Sequence, residues 1–441
     1  MHRGATDSEE KVEKSFRLLE TILLGKPNSN FPLSTNADYF LRLSMSHTTE
    51  ILLALFVILL AAKLGAELFE RLRQPPVVGE ILAGVIIGPS MLGLVAPSEF
   101  ISLLAEIGVI FLLFTVGLGT KPSTIFRVGK TALMVAVLGV VLPLVGGWLL
   151  MRIWGATNIR ALFVGTALVA TSVGITARVL SWLGLVNTIV ARIILGAAVI
   201  DDILGLLVLS VVASSSTGEI NYLKIGTTAL LAVAFTAFVA LIGARVITRL
   251  SPRIETLRIG ESPFIVGVVL CLGLAAAVSF IGVAAIIGAF LAGMAMAEAS
   301  EGNTRVHIQT NAVMEFVVPF FLVNIGMQLQ LSVFRDSSLV GLAVAVTLVA
   351  LATKLIGCGA GAWTLGVKKA AQVGVGMMPR GEVGIVVAQI GLSLTVIDDR
   401  LYAVVLFMAV ATTLIAPPLL GVLFKEEAAV QNRALEQSAS D

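Results

Sequence analysis

Two adjacent aspartates lie near the middle of a long apolar segment. Asp201 and Asp202 interrupt the run at 187–214, which is long enough to cross a bilayer, because a hydrocarbon core of roughly 30 Å takes about 20 residues. An aspartate at mid-span costs about 2.5 to 3.5 kcal/mol on insertion, so we expect this pair to have a partner and a function. A second pair, Asp398-Asp399, lies between two apolar runs, and we predict a solvated loop without a function there.

Basic residues inside other apolar segments could balance this charge. Lys354 is at mid-span and needs an anion, so we predict that it pairs with one of the two aspartates. Arg380 and Glu382 are two positions apart and are predicted to balance each other. Two aspartates and one lysine leave one negative charge in excess, which either a proton or a small hard cation can neutralise. Because these two options exclude each other, the pattern is typical of exchange of a cation for protons.

The composition is that of a polytopic, all-α membrane protein. Hydrophobic residues make up 57% of the 441 residues and charged residues only 13%, against about 25% charged in soluble domains. Cys271, Cys358 and three scattered histidines form no metal or haem motif, so we expect no cofactor. A net charge of +2 gives no reason to expect a nucleic-acid partner.

Hydropathy predicts about thirteen transmembrane helices between a polar N-terminal segment at 1–48, which contains an amphipathic stretch at 12–24, and a short tail at 425–441. The predicted spans are 49–69, 76–96, 101–119, 131–154, 160–182, 187–214, 223–247, 262–281, 282–299, 309–329, 337–366, 370–394 and 400–424. Lys and Arg concentrate in the loops after odd-numbered spans. The positive-inside rule therefore predicts a cytoplasmic C-terminus and an outside N-terminus, although the Lys and Arg residues of the N-terminal tail oppose this.

Helix-breaking sequences interrupt two of these spans. The fifth span contains Ala170-Thr-Ser-Val-Gly-Ile-Thr-Ala-Arg178, and the twelfth contains a glycine-rich stretch around Pro379. Each is the middle of a triplet, spans 4–6 and spans 11–13, and the two triplets have opposite topology. We therefore predict an inverted repeat with two crossed discontinuous helices and a binding site where they cross.

Several stretches together resemble the monovalent cation:proton antiporter-2 family of sodium/proton antiporters, from about residue 49 to 424. They are the Asp201-Asp202 pair, Lys354, Arg380-Gly-Glu382, Gly79-Glu-Ile-Leu-Ala-Gly-Val-Ile-Ile-Gly-Pro89 and Ala105-Glu-Ile-Gly-Val-Ile-Phe-Leu-Leu-Phe114. One stretch departs from the family, since Gly117-Leu-Gly119-Thr-Lys121 lacks the glutamate that usually follows Gly-Leu. Any role of that glutamate is therefore absent here.

The resemblance implies a transport cycle and the residues that carry it. It implies that Na⁺, or Li⁺ and possibly K⁺, binds at Asp202 beside Asp201, that Asp201 pairs with Lys354, and that oxygens near Thr171 and Ser172 complete the coordination. It implies a core domain (131–214 and 337–424), a dimerisation domain (49–119 and 262–329), a linker span (223–247) and elevator-like movement in a homodimer. Two protons per cation would make exchange electrogenic. We expect the protein to lie in the bacterial inner (plasma) membrane, in contact with membrane lipid.

Five further charged residues lie within apolar runs, and we predict mostly structural roles for them. Glu80 and Glu106 are nearer the ends of their spans than the aspartate pair. Lys63 and Glu67 are four residues apart on one helix, near its cytoplasmic end, and are predicted either to pair with each other or to snorkel to the membrane surface. Arg178, near the end of the fifth span, either lines a funnel or marks the cytoplasmic side.

Two other functions use related features. Potassium-efflux transporters of the glutathione-gated kind resemble the membrane part but carry a long cytoplasmic nucleotide-binding domain, for which we expect no room after Leu423. An intramembrane aspartyl protease also uses two aspartates, but they face each other from separate helices, whereas neighbours on one helix point about 100° apart. We therefore expect a transporter rather than an enzyme, with a K⁺/H⁺ antiporter as the nearest alternative.

Overall fold

A computed structural model describes residues 47–120, 122–217, 262–280, 284–297, 304–329, 331 and 337–429, together with scattered positions between 226 and 249. The amphipathic stretch at 12–24 and most of the linker span at 223–247 lie outside the described residues. Residues up to Leu55 form one contact unit and those from Phe56 onward form another, and the packing reported below is that of the second unit.

The described secondary structure is helical throughout. The first seven helices are α1 (His47–Arg71), α2 (Pro76–Ile87), α3 (Glu99–Leu118), α4 (Pro122–Ile153), α5 (Asn158–Val169), α6 (Val173–Trp182) and α7 (Ile189–Thr217). The remaining seven are α8 (Ser262–Phe280), α9 (Ala285–Ala297), α10 (Thr304–Met327), α11 (Ser337–Gly361), α12 (Val367–Gly376), α13 (Glu382–Ser393) and α14 (Asp399–Leu423), with a short 3₁₀ turn at Trp363–Leu365.

In the described part of the chain, nine helical segments are long and apolar enough to cross a membrane, and three shorter apolar helices accompany them. The predicted polytopic, all-α fold is therefore confirmed. Some predicted ends were wrong. The second helix stops at Ile87 rather than near residue 96, because Gly88-Pro89 follows it, and the residue before a proline is disfavoured in helical conformation. The fourth begins at Pro122, well before the predicted start at residue 131.

The helices pack in two sets. Helices α4–α7 and α11–α14 contact one another extensively, most closely where α4 lies against α11, and we call them the first set. Helices α2, α3, α8, α9 and α10 pack on each other and form the second set. The two sets meet mainly where α3 and α2 contact α6 and where α2 contacts α14.

Two interrupted helices cross within the first set. Residues 170–172 separate α5 from α6, and residues 377–381 separate α12 from α13. The two breaks touch: the Ser172 N–H donates to the Pro379 carbonyl at 2.8 Å, and the Thr176 hydroxyl donates to the Gly376 carbonyl at 2.6 Å. A Cβ on Gly381 would lie only 2.6 Å from the Ser172 Oγ, so glycine is needed for this close approach. The inverted repeat with crossed discontinuous helices is confirmed.

The pair Asp398-Asp399 has a structural role that the sequence reading missed. Asp398 is the N-cap of α14, where its Oδ1 accepts a hydrogen bond from the Leu401 N–H at 2.9 Å. Asp399 lies in the first turn of the same helix, where a negative charge is favourable next to the helix dipole. These aspartates therefore start a helix, whereas we had predicted a solvated loop.

Candidate functional site

Lys354 and Asp201 form a fully buried ion pair. Lys354 Nζ on α11 lies 2.9 Å from Asp201 Oδ1 on α7, and neither side chain has any exposed surface. The ammonium also donates to the Gly139 carbonyl of α4 at 2.8 Å. The structure thus brings together the two residues that the sequence analysis paired, and α4, α7 and α11 meet at one charged contact. The other carboxylate oxygen of Asp201, Oδ2, is buried and has no hydrogen-bond partner among the described residues.

Gly139 leaves the space that the lysine occupies. A Cβ built on Gly139 would lie 2.6 Å from Cys358 Sγ and 3.4 Å from Lys354 Nζ. Any larger residue would therefore push against the ion pair and against α11. The contact depends on a glycine for which the sequence has no separate signal, since glycines are common throughout this chain.

Gly139→Ala should destabilise the protein by about 1 to 3 kcal/mol, the range for over-packing a tight interior. Gly129→Ala in the same helix is the matched control, because a Cβ there meets nothing within 4 Å. It should be neutral or stabilising by up to about 1 kcal/mol, through the reduced freedom of the unfolded chain. Thermal melting in detergent measures both variants, and equal shifts in melting temperature would show that the space around Lys354 is not tight.

Asp202 has different surroundings from Asp201. It is buried, but it lines a cavity of about 450 Å³ between the two sets of helices. The wall of this cavity is built from α3, α7, α8, α9 and α13. Adjacent carboxylates on one helix thus have different surroundings because they point in different directions: Asp201 is enclosed with Lys354, and Asp202 faces the cavity.

Thr171 and Ser172 form the break between α5 and α6, and both side chains are buried. In the part of the chain that the structure describes, the Thr171 hydroxyl oxygen has no hydrogen-bond partner, which is unusual for a buried polar atom and makes it a candidate ligand. Helix α6 begins directly after Ser172. At such a break, main-chain N–H and C=O groups that are not paired within a helix are available to bind an ion. The coordination roles of both residues remain predictions.

Arg380 joins the ends of the interrupted helices. Its guanidinium is fully buried and donates to the carbonyls of Leu168 at 2.9 Å, Met377 at 3.1 Å, Met378 at 2.6 Å and Ala350 at 3.1 Å. Leu168 is in the last turn of α5, and the two methionines follow α12. The carbonyls that a helix leaves unpaired at its C-terminus are thereby satisfied, and the positive charge suits their dipole.

The predicted charge balance between Arg380 and Glu382 involves one side chain that the structure describes, that of Arg380. Within the described ranges, the hydrogen bonds of the guanidinium all go to main-chain carbonyls. The side chain of Glu382 lies outside the described residues. The charge of Arg380 is therefore compensated by helix ends, and a supporting role for Glu382 remains a prediction.

Arg178 and Glu315 form an ion pair between the two sets of helices. Arg178 of α6 contacts Glu315 of α10 through two hydrogen bonds, at 2.9 Å and 3.3 Å. Lys63 of α1 also reaches Glu315, at 3.3 Å, while Glu67 pairs with Arg71 at 2.7 Å. The predicted pair of Lys63 with Glu67 was therefore wrong. Each of the two residues has a better-placed partner.

The cluster around Arg178 borders a second cavity, of about 240 Å³, next to the Pro75-Pro76 start of α2. Glu80 of α2 is almost fully buried, one of its carboxylate oxygens has no hydrogen-bond partner, and its charge is close enough to interact with Arg178. These contacts place Arg178 at the meeting point of the helix sets rather than at a free surface.

The sequence profile described as "Sodium/hydrogen exchanger, transmembrane" matches residues 51–426. This chain belongs to the sodium/hydrogen exchanger family. The match covers α2 to α14 and therefore includes the aspartate pair, Lys354 and both interrupted helices. The resemblance inferred from the sequence motifs is confirmed at the level of the family.

Two relatives in the sodium/hydrogen exchanger family are similar over nearly their whole length. The Na⁺/H⁺-K⁺ antiporter GerN of Bacillus cereus is 35% identical over 379 residues, which cover 85% of this chain and 96% of GerN. The high-affinity Na⁺/H⁺ antiporter NhaS3 of Synechocystis sp. is 36% identical over 424 residues, which cover 86% and 91%. Both named relatives are transporters.

A solved structure supports the fold. The sodium proton antiporter MjNhaP1 of Methanocaldococcus jannaschii, solved at pH 8, aligns with a TM-score of 0.57 over 86% of this chain and 98% of its own. The sequence identity is 19%, so this likeness concerns the architecture alone.

Proposed function

We propose that this chain exchanges a monovalent cation, most favourably Na⁺ and also Li⁺, for protons across the membrane. The observation that carries the proposal is the contrast between the adjacent carboxylates: Asp201 is enclosed with Lys354, and Asp202 lines a cavity. A carboxylate facing an accessible space can hold a cation or a proton, but not both at once. Competition for one carboxylate is the chemical basis of exchange.

In this proposal, Asp202 holds the transported ion, and oxygens at the helix break contribute to its coordination. The candidate donors are the Thr171 and Ser172 hydroxyls and main-chain carbonyls at the crossing, since hard cations prefer oxygen ligands. Asp201 and Lys354 supply a neighbouring charge pair that rearranges when Asp202 is occupied. Arg380 keeps the half-helix ends in place, and Glu382 supports the charge balance.

We propose that the first set of helices is the moving core and that the second set, with α1, forms the dimerisation domain, so that the core moves like an elevator. Extensive packing inside each set and limited contact between them support this division. With the N-terminus outside and the C-terminus in the cytoplasm, the cavity at Asp202 opens outward, because it lies near the start of α3 and the end of α8. The protein would then work in the bacterial inner membrane.

Purified protein in proteoliposomes tests the function directly. An inward Na⁺ gradient should drive proton efflux, read from a pH-sensitive dye, and Li⁺ should substitute for Na⁺. If two protons are exchanged for each cation, the net charge moved is worth about 2.3 kcal/mol per 100 mV, so the rate should respond to a potential clamped with an ionophore. Absence of cation-driven proton flux above protein-free liposomes would reject the proposal, and rates indifferent to voltage would reject only the stoichiometry.

Exchange of K⁺ is the second candidate, and it is favoured by the similarity to GerN, which is an Na⁺/H⁺-K⁺ antiporter. The same proteoliposomes can distinguish the two cations when a K⁺ gradient replaces the Na⁺ gradient. The membrane potential must then be set by a means other than the K⁺ gradient. A half-saturating concentration lower for K⁺ than for Na⁺ would assign the protein to K⁺/H⁺ antiport.

A further inference from the structure

The cavity at Asp202 contains a second carboxylate, from a different helix. Glu106 of α3 lines the same 450 Å³ space as Asp202 of α7. The other lining residues are apolar apart from one serine: Val109, Ile110, Leu206, Ser279, Ala284, Ala285, Ile286, Val383 and Val386. Two acidic side chains on opposite sets of helices therefore face one largely apolar space.

The contacts of Glu106 do not suggest a structural role. Its side chain is exposed, and among the described residues no basic side chain lies within ion-pair distance of it. By contrast, Glu315, an acidic residue near the middle of α10 in the same set, is held by Arg178 and Lys63. Among the described residues, Glu106 thus has no ion-pair partner, and its carboxylate lines the same cavity as Asp202. We therefore looked to this cavity for its role.

We propose that Glu106 is a cation-collecting residue, which draws the cation into the cavity before Asp202 binds it. A charge in a cleft with low-dielectric walls focuses the field and can raise the local concentration of the opposite charge by a factor of 10 or more. Glu106 belongs to the second set of helices and Asp202 to the first. In an elevator cycle, Glu106 would act on the ion only while Asp202 faces this cavity, so its effect is confined to one side of the membrane.

This inference rests on the proposed exchange function, and the variant Glu106→Gln tests it. The half-saturating Na⁺ concentration on the cavity side should rise about three- to tenfold at low ionic strength, with the maximal rate unchanged. Adding an untransported salt should shrink the difference from wild type, because screening at 1 M salt shortens the range of charge effects to about 3 Å. Glu106→Asp should restore much of the affinity.

Two further variants keep the test decisive. Glu99→Gln removes the same charge from the exposed first turn of the same helix, outside the cavity, and should leave Na⁺ affinity unchanged. Ser279→Lys adds a positive charge to the opposite cavity wall at an exposed position and should weaken Na⁺ binding as Glu106→Gln does. This second route remains informative if Glu106→Gln folds poorly.

The outcomes separate the two proposals. Wild-type exchange together with unchanged Na⁺ affinity in Glu106→Gln would overturn the role of Glu106 and leave the exchange function standing. A weakened affinity that does not depend on ionic strength would also overturn it, because a structural defect is not screened by salt. Absence of exchange in the wild type would instead reject the function itself.

Discussion

Asp202→Asn should abolish cation-driven proton exchange and reduce it to the level of protein-free liposomes. The substitution keeps the shape of the side chain but removes the charge that alternates between a cation and a proton. Because Asp202 lines the cavity and the ion pair of Lys354 is made to Asp201, the buried ion pair should survive. The protein should therefore extract and melt like the wild type. Exchange is measured with a pH-sensitive dye under Na⁺ and Li⁺ gradients.

Asp399→Asn is the matched control for this experiment. It makes the same change in the other aspartate pair, at an exposed position in the first turn of α14, and exchange should be retained. Robust exchange by Asp202→Asn, at rates comparable to those of Asp399→Asn, would show that another group carries the ion.

Lys354→Ala should cause the largest loss of stability, because it leaves Asp201 charged in a site with no exposed surface. Removing one partner of a buried ion pair typically costs about 3 to 5 kcal/mol. The double variant Asp201→Ala with Lys354→Ala removes both charges and should melt at a higher temperature than Lys354→Ala alone. Thermal unfolding in detergent of both single variants and the double variant gives the coupling energy of the pair.

Additive melting shifts would contradict this expectation, since independent residues show little coupling in such a cycle. The cavity left by two small side chains lowers the stability of the double variant as well, so wild-type stability is not expected. The diagnostic result is the order of the variants, with Lys354→Ala below the double variant.

The main features of the fold and the charged centre could be predicted from the sequence, because the membrane makes charge placement informative. Asp201, Asp202 and Lys354 stand out in apolar segments, where an unpaired charge is costly. The interruption around Pro379 is marked by proline and glycine, whose effects on a helix are local. The break at 170–172 has no proline. Its position is defined by the hydrogen bonds between the two interrupted helices that cross there.

Other features depend on packing that has no local signal. The spans are delimited by hydropathy, which starts the tenth predicted span at residue 309. The helix begins at Thr304, which puts Glu315 near its middle and opposite Arg178. The partners of Arg380 are main-chain carbonyls of α5, of α11 and of its own helix break. A pattern of side chains along the chain cannot reveal partners of this kind.

The contact between Arg178 and Glu315 also bears on how evenly the transporter populates its conformations. The pair links one helix from each set, so a rearrangement of the sets breaks it, and its free energy counts only in the conformation described here. Half of the Glu315 side chain is exposed, and ion pairs in such surroundings contribute about 0 to 1 kcal/mol. This bias shifts the ratio of two conformations by up to about fivefold, since RT is about 0.59 kcal/mol. If the two sets rearrange during transport, as proposed above, the contact is strong enough to set a resting preference and weak enough to break in each cycle.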